Sequence, residues 1–290
     1  MAARLAPLSH ALSAAARAGR GFSTARPLAK TLTGAASGPA PRRFWKQVHL
    51  KRCESGDAAG AWEVYLDARP LKTPEKRVMR FDAADYGVAL LVAAEWEAVG
   101  TTVKTHSLPA TSVVARAVDA LDADPALRGE VIEQMLRFAH TDSVCYHFTE
   151  PAGLVALQDR YWVPLLNDLG TTLGGVHINR TDGITNEPQS EATMAALRRT
   201  LEGLSNLELA CLERAVLTSK SLLVPMGIYY GHMHADDGVI AAMLEVTHQI
   251  QRWGEVEDAH DIDREVLRAA LGLFGTVVAL RGARAPIASA

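Results

Sequence analysis

The feature that most constrains this chain is a change of period along its length. From Phe44 to Phe81 apolar residues tend to alternate with polar ones, and from Asp82 onward they recur at spacings of three and four. The first period suits half-buried strands and the second amphipathic helices. Phe44 to Cys53 (F-W-K-Q-V-H-L-K-R-C) reads as a strand with a basic face, Glu54 to Gly60 as a turn, and Trp62 to Asp67 as the returning strand of a hairpin. Arg69 to Pro74 is expected to leave the ladder, because Pro70 and Pro74 have no N–H to give. Arg77 to Phe81 makes a short third strand.

Helices are expected over residues 82–99, with Asp82 as cap and Gly100 as stop, and over 111–121, 125–139, 154–169, 190–204, 207–217, 237–253 and 263–280. The polar stretch from Gly170 to Pro188 reads as a loop with one short strand, Gly175 to Asn179. Strands first and helices after argue for an α+β chain with segregated parts rather than a doubly wound sheet. The expected division is a small β-rich N-terminal domain over about 42–122 and a mostly α-helical C-terminal domain over 123–290.

The first forty-odd residues differ in kind. No Asp or Glu precedes Glu54, while Arg4, Arg17, Arg20, Arg26 and Lys30 alternate with Ala, Leu, Ser and Thr. A basic, Ser- and Ala-rich, acid-free start is the composition of an organellar transit peptide, mitochondrial before plastid, with a plain N-terminal tail as the remaining reading; a secretory signal is disfavoured because no continuous apolar run follows. Arg20-Gly21-Phe22-Ser23 suggests cleavage after Phe22, and Ala35 to Pro41 reads as a linker, so residues 1–41 are set apart as transit peptide and linker. No run approaches the length of a membrane span. A net charge of −3 gives no whole-chain argument for nucleic acid. Three dispersed cysteines, Cys53, Cys145 and Cys211, point to a reducing compartment.

No phosphate-binding glycine loop or nucleophile elbow is present, so no cofactor is expected. His232-Met233-His234 could offer two ligands from an extended segment, with Asp236 or His248 completing a metal site. The plainer reading is a loop whose Asp236 or Asp237 caps the next helix. A metal-dependent matrix enzyme using His232 and His234 is the alternative function.

The stretch from Met243 to Asp263 carries more. Val239 to Trp253, placed on one helix, gathers its apolar residues over half the circumference, which predicts a well-buried helix. Glu245, Gln249 and Arg252 form a polar stripe opposite, and Gly254 ends the helix. Glu255, Glu257, Asp258, Asp261 and Asp263 then place five acids in nine residues. Acids gather before a helix for the sake of its dipole, but such a turn can also meet a basic partner. Glu95 and Trp96 read as a surface acid and a packing ring, and Asp142 as a local cap. The five tryptophans are expected to be packing landmarks.

Several segments together resemble the mitochondrial ATP synthase F1-sector assembly factor 2 family, chaperones of the F1 alpha subunit. They are Arg43-Phe44-Trp45-Lys46, Leu66 to Pro74 (L-D-A-R-P-L-K-T-P), Ala94-Glu95-Trp96 and Thr141 to Tyr146 (T-D-S-V-C-Y). Gln158 with Trp162, Pro164 and Leu165, and Glu245, Gln249, Trp253, Gly254, Glu257, His260 and Asp261, complete the match. Ala68 stands where the family has Gly, and His147 where it often has Arg. The resemblance implies a non-enzymatic matrix protein that binds unassembled alpha subunit and yields it to beta. It implies neither nucleic-acid binding nor stable membrane insertion. Glu257, Glu255, Asp258, Glu245, Gln249 and Asp261 are the candidate partner-binding residues. Trp253, Gly254, Glu95, Trp96 and Asp142 are the structural signature.

Overall fold

The computed structural model describes residues 41–54, 59–183 and 188–282. The transit-peptide reading, with its cleavage after Phe22, and all of the linker but Pro41 lie outside them. Among the described residues the order is four strands and then ten α-helices, as the change of period predicts. Strands β1 (Val48–Arg52) and β2 (Trp62–Leu66) form the antiparallel hairpin, with Leu50 opposite Val64. Its inward side chains, Val64 and Leu66, join Trp45, Met79 and Phe81 in the core.

The prolines do not end the ladder. Arg69–Pro70 is β3 and pairs with Leu66 and Tyr65 at the end of β2. Leu71 N–H donates to the Val64 carbonyl and Thr73 N–H to that of Arg77. The donors the ladder uses belong to Leu71 and Thr73, so Pro70 and Pro74 fall where no N–H is called for. The third strand shortens to β4, Arg80–Phe81, also on β2. The turn at Asp67-Ala68 forms without the family's glycine. Asp67 itself takes the left-handed conformation (φ 52°). Its carboxylate accepts the N–H groups of Lys46 and Gln47, which hold its pKa below the usual carboxylate range.

Helix α1 (Tyr86–Ala98) lies between the sheet and the helical part, with Val88, Ala89 and Val92 buried. Asp82 gives it no side-chain cap, and a short 3₁₀ turn, Ala83–Asp85, leads in instead. Helices α2 (Pro109–Arg116), α3 (Pro125–His140), α4 (Ala152–Thr172), α5 (Glu191–Glu202) and α6 (Asn206–Ser219) follow close to their expected places. Asp124, Ser190 and Ser205 cap α3, α5 and α6 through their side chains, and Ser205 with Glu208 makes a reciprocal capping box. Gly175 to Asn179 is not a strand. Its polar groups are met locally, Asn179 N–H by the Gln189 side chain. Helix α7 (Leu223–Tyr229) was not expected. It is buried all round, so it has no polar face to mark its period.

The last three helices are α8 (Ala235–Ala242), α9 (Leu244–Trp253) and α10 (His260–Arg281). Helix α10 is the longest of the described helices and buries Leu267, Leu271, Phe274 and Val278 as one stripe, each worth about 2 kcal/mol of apolar transfer. It packs on α6, α7, α8 and α1. A Cβ on Gly87 of α1 would lie 2.7 Å from a Leu280 methyl, so this glycine sets how closely α1 and α10 approach. No described helix is long and apolar enough to cross a membrane.

Candidate partner-binding surface

The single buried helix expected from Val239 to Trp253 is two helices, and the second is mostly uncovered. The break falls at Met243 (φ −107°, ψ 20°). At the break the buried Trp162 indole of α4 donates to the Ala241 carbonyl at 2.8 Å. A continuous helix would spend that carbonyl on the N–H of Glu245. Past the break α8 packs on α10 and α9 on α4, so one apolar arc serves two neighbours and covers neither half fully. In α9 only Leu244 is buried.

What remains is an apolar surface. Trp253 is 71% exposed, Val256 58%, Ile262 51% and Val266 50%. Trp253 is thus the one tryptophan that does not serve packing; the Arg252 guanidinium rests over its ring, 5.4 Å from the centroid. Beside it Val239, Ile240, Met243, Thr247 and Ile250 line an open groove of about 520 Å³, whose other wall holds Arg264 and Arg268. Both arginines are neutralised from within: Glu255 meets Arg264 at 2.9 Å, and Asp236 and Glu265 meet Arg268.

Gly254 ends α9 with φ 92°, a conformation that favours glycine, and its N–H still reaches the Ile250 carbonyl. The chain then turns through Asp258, also left-handed (φ 61°), into α10. That helix starts at His260, three residues earlier than expected, so Asp261 and Asp263 lie in its first turn, where the dipole favours them. The candidate acids therefore separate. Glu255 is tied to Arg264, and Asp261 is half-buried with one oxygen unpartnered. Glu257 and Asp258 are exposed and form no ion pair with another of the described residues. Gln249 is exposed. Glu245 is half-buried and makes no ion pair with Arg252, and burial raises its pKa.

The signature residues on the other side of the fold are fasteners. Glu95 is not a surface acid: it accepts the N–H groups of Ala110 and Thr111 and the Thr111 hydroxyl, capping α2. Burial outweighs these bonds and raises its pKa. Trp96 donates to the same hydroxyl and packs on Trp45. Asp142 caps Val144 locally, as expected, but its second oxygen takes the Leu222 and Leu223 N–H groups at 2.7 and 3.0 Å, holding the start of α7. It is fully buried, and desolvation pushes its pKa up to about 6. Arg116 and Glu213, which no motif marked, form a buried bidentate pair between α2 and α6. His147 bonds the Val144 carbonyl, and burial lowers its pKa, so no fixed positive charge stands there.

The histidine alternative finds no support in the geometry. His232 Nε2 bonds the Thr172 hydroxyl at 2.8 Å, Asp236 pairs with Arg268, and His234 merely precedes α8. No three His, Cys, Asp or Glu side chains among the described residues could hold a metal together. Asp236 and Asp237 lie in the first turn of α8 and neither caps it.

A small antiparallel sheet followed by a helical body is the architecture of a known class of assembly chaperones. The chain belongs to the ATP12 chaperone family. The family model described as ATP12 chaperone protein matches residues 42–170. Protein atp12, mitochondrial, of Schizosaccharomyces pombe is 33% identical over 247 residues, covering 81% of this chain and 83% of that protein. Protein ATP12, mitochondrial, of Saccharomyces cerevisiae is 31% identical over 265 residues, with 78% and 80% covered. Among solved structures, the Atu1473 protein of Agrobacterium tumefaciens superposes with a TM-score of 0.72 at 27% identity, covering 87% of this chain and 94% of that one. Atp12 from Paracoccus denitrificans gives 0.68 at 26%, covering 81% and 98%.

Proposed function

We propose that this protein is a non-enzymatic assembly chaperone of the mitochondrial matrix that binds the unassembled alpha subunit of F1 ATP synthase. It shields alpha from aggregation and yields it to beta. The supporting observation is the conjunction at the end of α9: an exposed Trp253 and Val256 beside the exposed carboxylates of Glu257 and Asp258, which form no ion pair among the described residues. A free subunit exposes apolar surface it will later bury, and such surface aggregates unless covered. The apolar face supplies the cover, and the free carboxylates orient a partner that offers Arg or Lys. Glu257 and Asp258 are the first contacts, with Glu255, Gln249, Asp261 and Glu245 on the rim. A modest contact area suits release, since the alpha–beta interface has only to be larger or better matched. The mitochondrial names of both fungal relatives agree with the acid-free N-terminal segment.

The test is capture from matrix extract, native chain beside Glu257→Lys, probed for alpha, beta and assembled F1. Alpha without beta on the native chain, and at least about tenfold less on the variant, is the expected result. Equal capture by both removes Glu257 from the site, and no alpha on either removes the function.

A further inference from the structure

The sheet carries the opposite charge to the helical body and keeps one edge open. Residues 42–81 hold ten Lys and Arg against five Asp and Glu, whereas residues 82–290 hold fifteen against twenty-eight. Among the described residues β1 pairs with β2 alone, so it is an edge strand.

The register decides which backbone groups lie open. Asp67 N–H donates to the Gln47 carbonyl, and Cys53 N–H to that of Ala61. Both pairs keep the register that sets His49 opposite Tyr65 and Lys51 opposite Glu63. Bonded pairs in an antiparallel ladder recur at every second residue, so His49 and Lys51 turn their N–H and C=O groups to β2. Val48, Leu50 and Arg52 turn theirs the other way, where no described residue bonds them. Side chains alternate too. Val48 and Leu50 are half-buried against the core, while His49 and Lys51 are exposed on the outer face beside the Tyr65 ring.

The acids near this edge leave its charge in place. Glu63 is buried and bonded to Arg80, and the Asp67 carboxylate is taken by the N–H groups of Lys46 and Gln47. Asp82 shares a shallow hollow with Arg52 and Arg80. Glu54 stands exposed just past the strand. Lys51 and Arg52, both exposed, form no ion pair with a described carboxylate.

We propose that β1 is a docking edge for an extended acidic segment of another protein, which joins the sheet as an antiparallel strand. The segment alternates acidic and apolar residues. Its apolar residues lie opposite Val48 and Leu50, exchange main-chain hydrogen bonds with them and extend their row. Its carboxylates fall on the outer face beside His49 and Lys51. The cations decide the occupant. A second copy of this chain would bring Lys51 and Arg52 against the same residues, and like charges on paired strands repel. The edge belongs to the sheet and not to the groove of α8, α9 and α10, so the inference goes beyond the proposed function and does not depend on it.

The experiment uses the full chain and a fluorescent peptide of about eight residues in which Glu and Val alternate. Anisotropy reads binding, and hydrogen exchange at single amides reads where the peptide lies. Binding with a Kd of about 100 µM or tighter is expected. Exchange at the Leu50 amide should slow at least about tenfold, while the amides of His49 and Lys51, already bonded to β2, change less than about twofold. Lys51→Gln/Arg52→Gln should weaken binding about fivefold, with His49 and Lys51 still protected to show that the hairpin is intact. The peptide's own backbone gives the strictest reading. N-methylation of its Val residues removes the donors that face Leu50 and should cost at least about tenfold in affinity, whereas N-methylation of its Glu residues should cost less than about threefold. Four results would each overturn the inference: no binding at about 1 mM peptide, binding without protection at Leu50, equal losses from the two methylations, or attachment to phosphatidylglycerol vesicles in place of the peptide.

Discussion

Asp142 and Glu257 are both acids within short motifs, and the molecule uses them in opposite ways. Asp142 is wholly buried and accepts three backbone N–H groups, two from residues eighty positions away. Glu257 is exposed and pairs with no other described charge. Glu95 and the Arg116–Glu213 pair stand with the first, and Asp258 with the second. A carboxylate whose acceptor positions are filled from within holds the fold, and one left unfilled on an apolar rim is free for another molecule. The contrast makes the stability and binding effects of substitution run in opposite orders.

The largest stability loss is expected at the pair that no motif marked. Glu213→Ala strands the buried Arg116 guanidinium and should cost about 4 kcal/mol in urea unfolding. Arg116→Met with Glu213→Leu should recover most of that, because no unpaired charge remains. If the double variant is as unstable as the single one, packing rather than charge governs this contact.

Asp142→Asn comes next, at about 2 kcal/mol, since one acceptor oxygen is exchanged for a donor facing the N–H groups of α7. Its pH dependence gives a sharper reading. With its folded pKa raised to about 6, the native protein takes up a proton that the unfolded chain does not, so this group's contribution falls as pH rises from about 4 to about 6. Unfolding at a series of pH values should show that fall in the native protein and not in the variant. The same slope in both would place the titration elsewhere.

The smallest stability effects belong to the acidic turn. Glu257→Gln and Trp253→Ala should each move stability by no more than about 0.5 kcal/mol while lowering alpha capture several-fold. A large loss of stability in either would erase the distinction between the two groups of residues.

Glu95 shows why sequence could not sort them. Its motif was recognisable, but a carboxylate at the end of α1 looks the same whether it meets water or the N–H groups of Ala110 and Thr111. The proline-containing strand failed for a related reason. Whether Pro70 breaks a ladder depends on which side of the backbone the neighbouring strand uses, and that is a property of the register. Helix α7 is buried on every side, so its sequence carries no alternation of polar and apolar residues to mark it.

The sequence by itself determined the order of strands and helices, the local cap at Asp142, the stop at Gly254 and the acid-free composition of the first forty residues. These depend on spacing and on near neighbours, and a local pattern is enough to specify them. Only the tertiary structure decided where the apolar arc from Val239 to Trp253 would break and which of its residues would stay uncovered. The Trp162 indole reaches across from α4 to take the Ala241 carbonyl. Burial and hydrogen-bond partnership are settled by groups brought together across the chain, and no period in the sequence records which groups those will be.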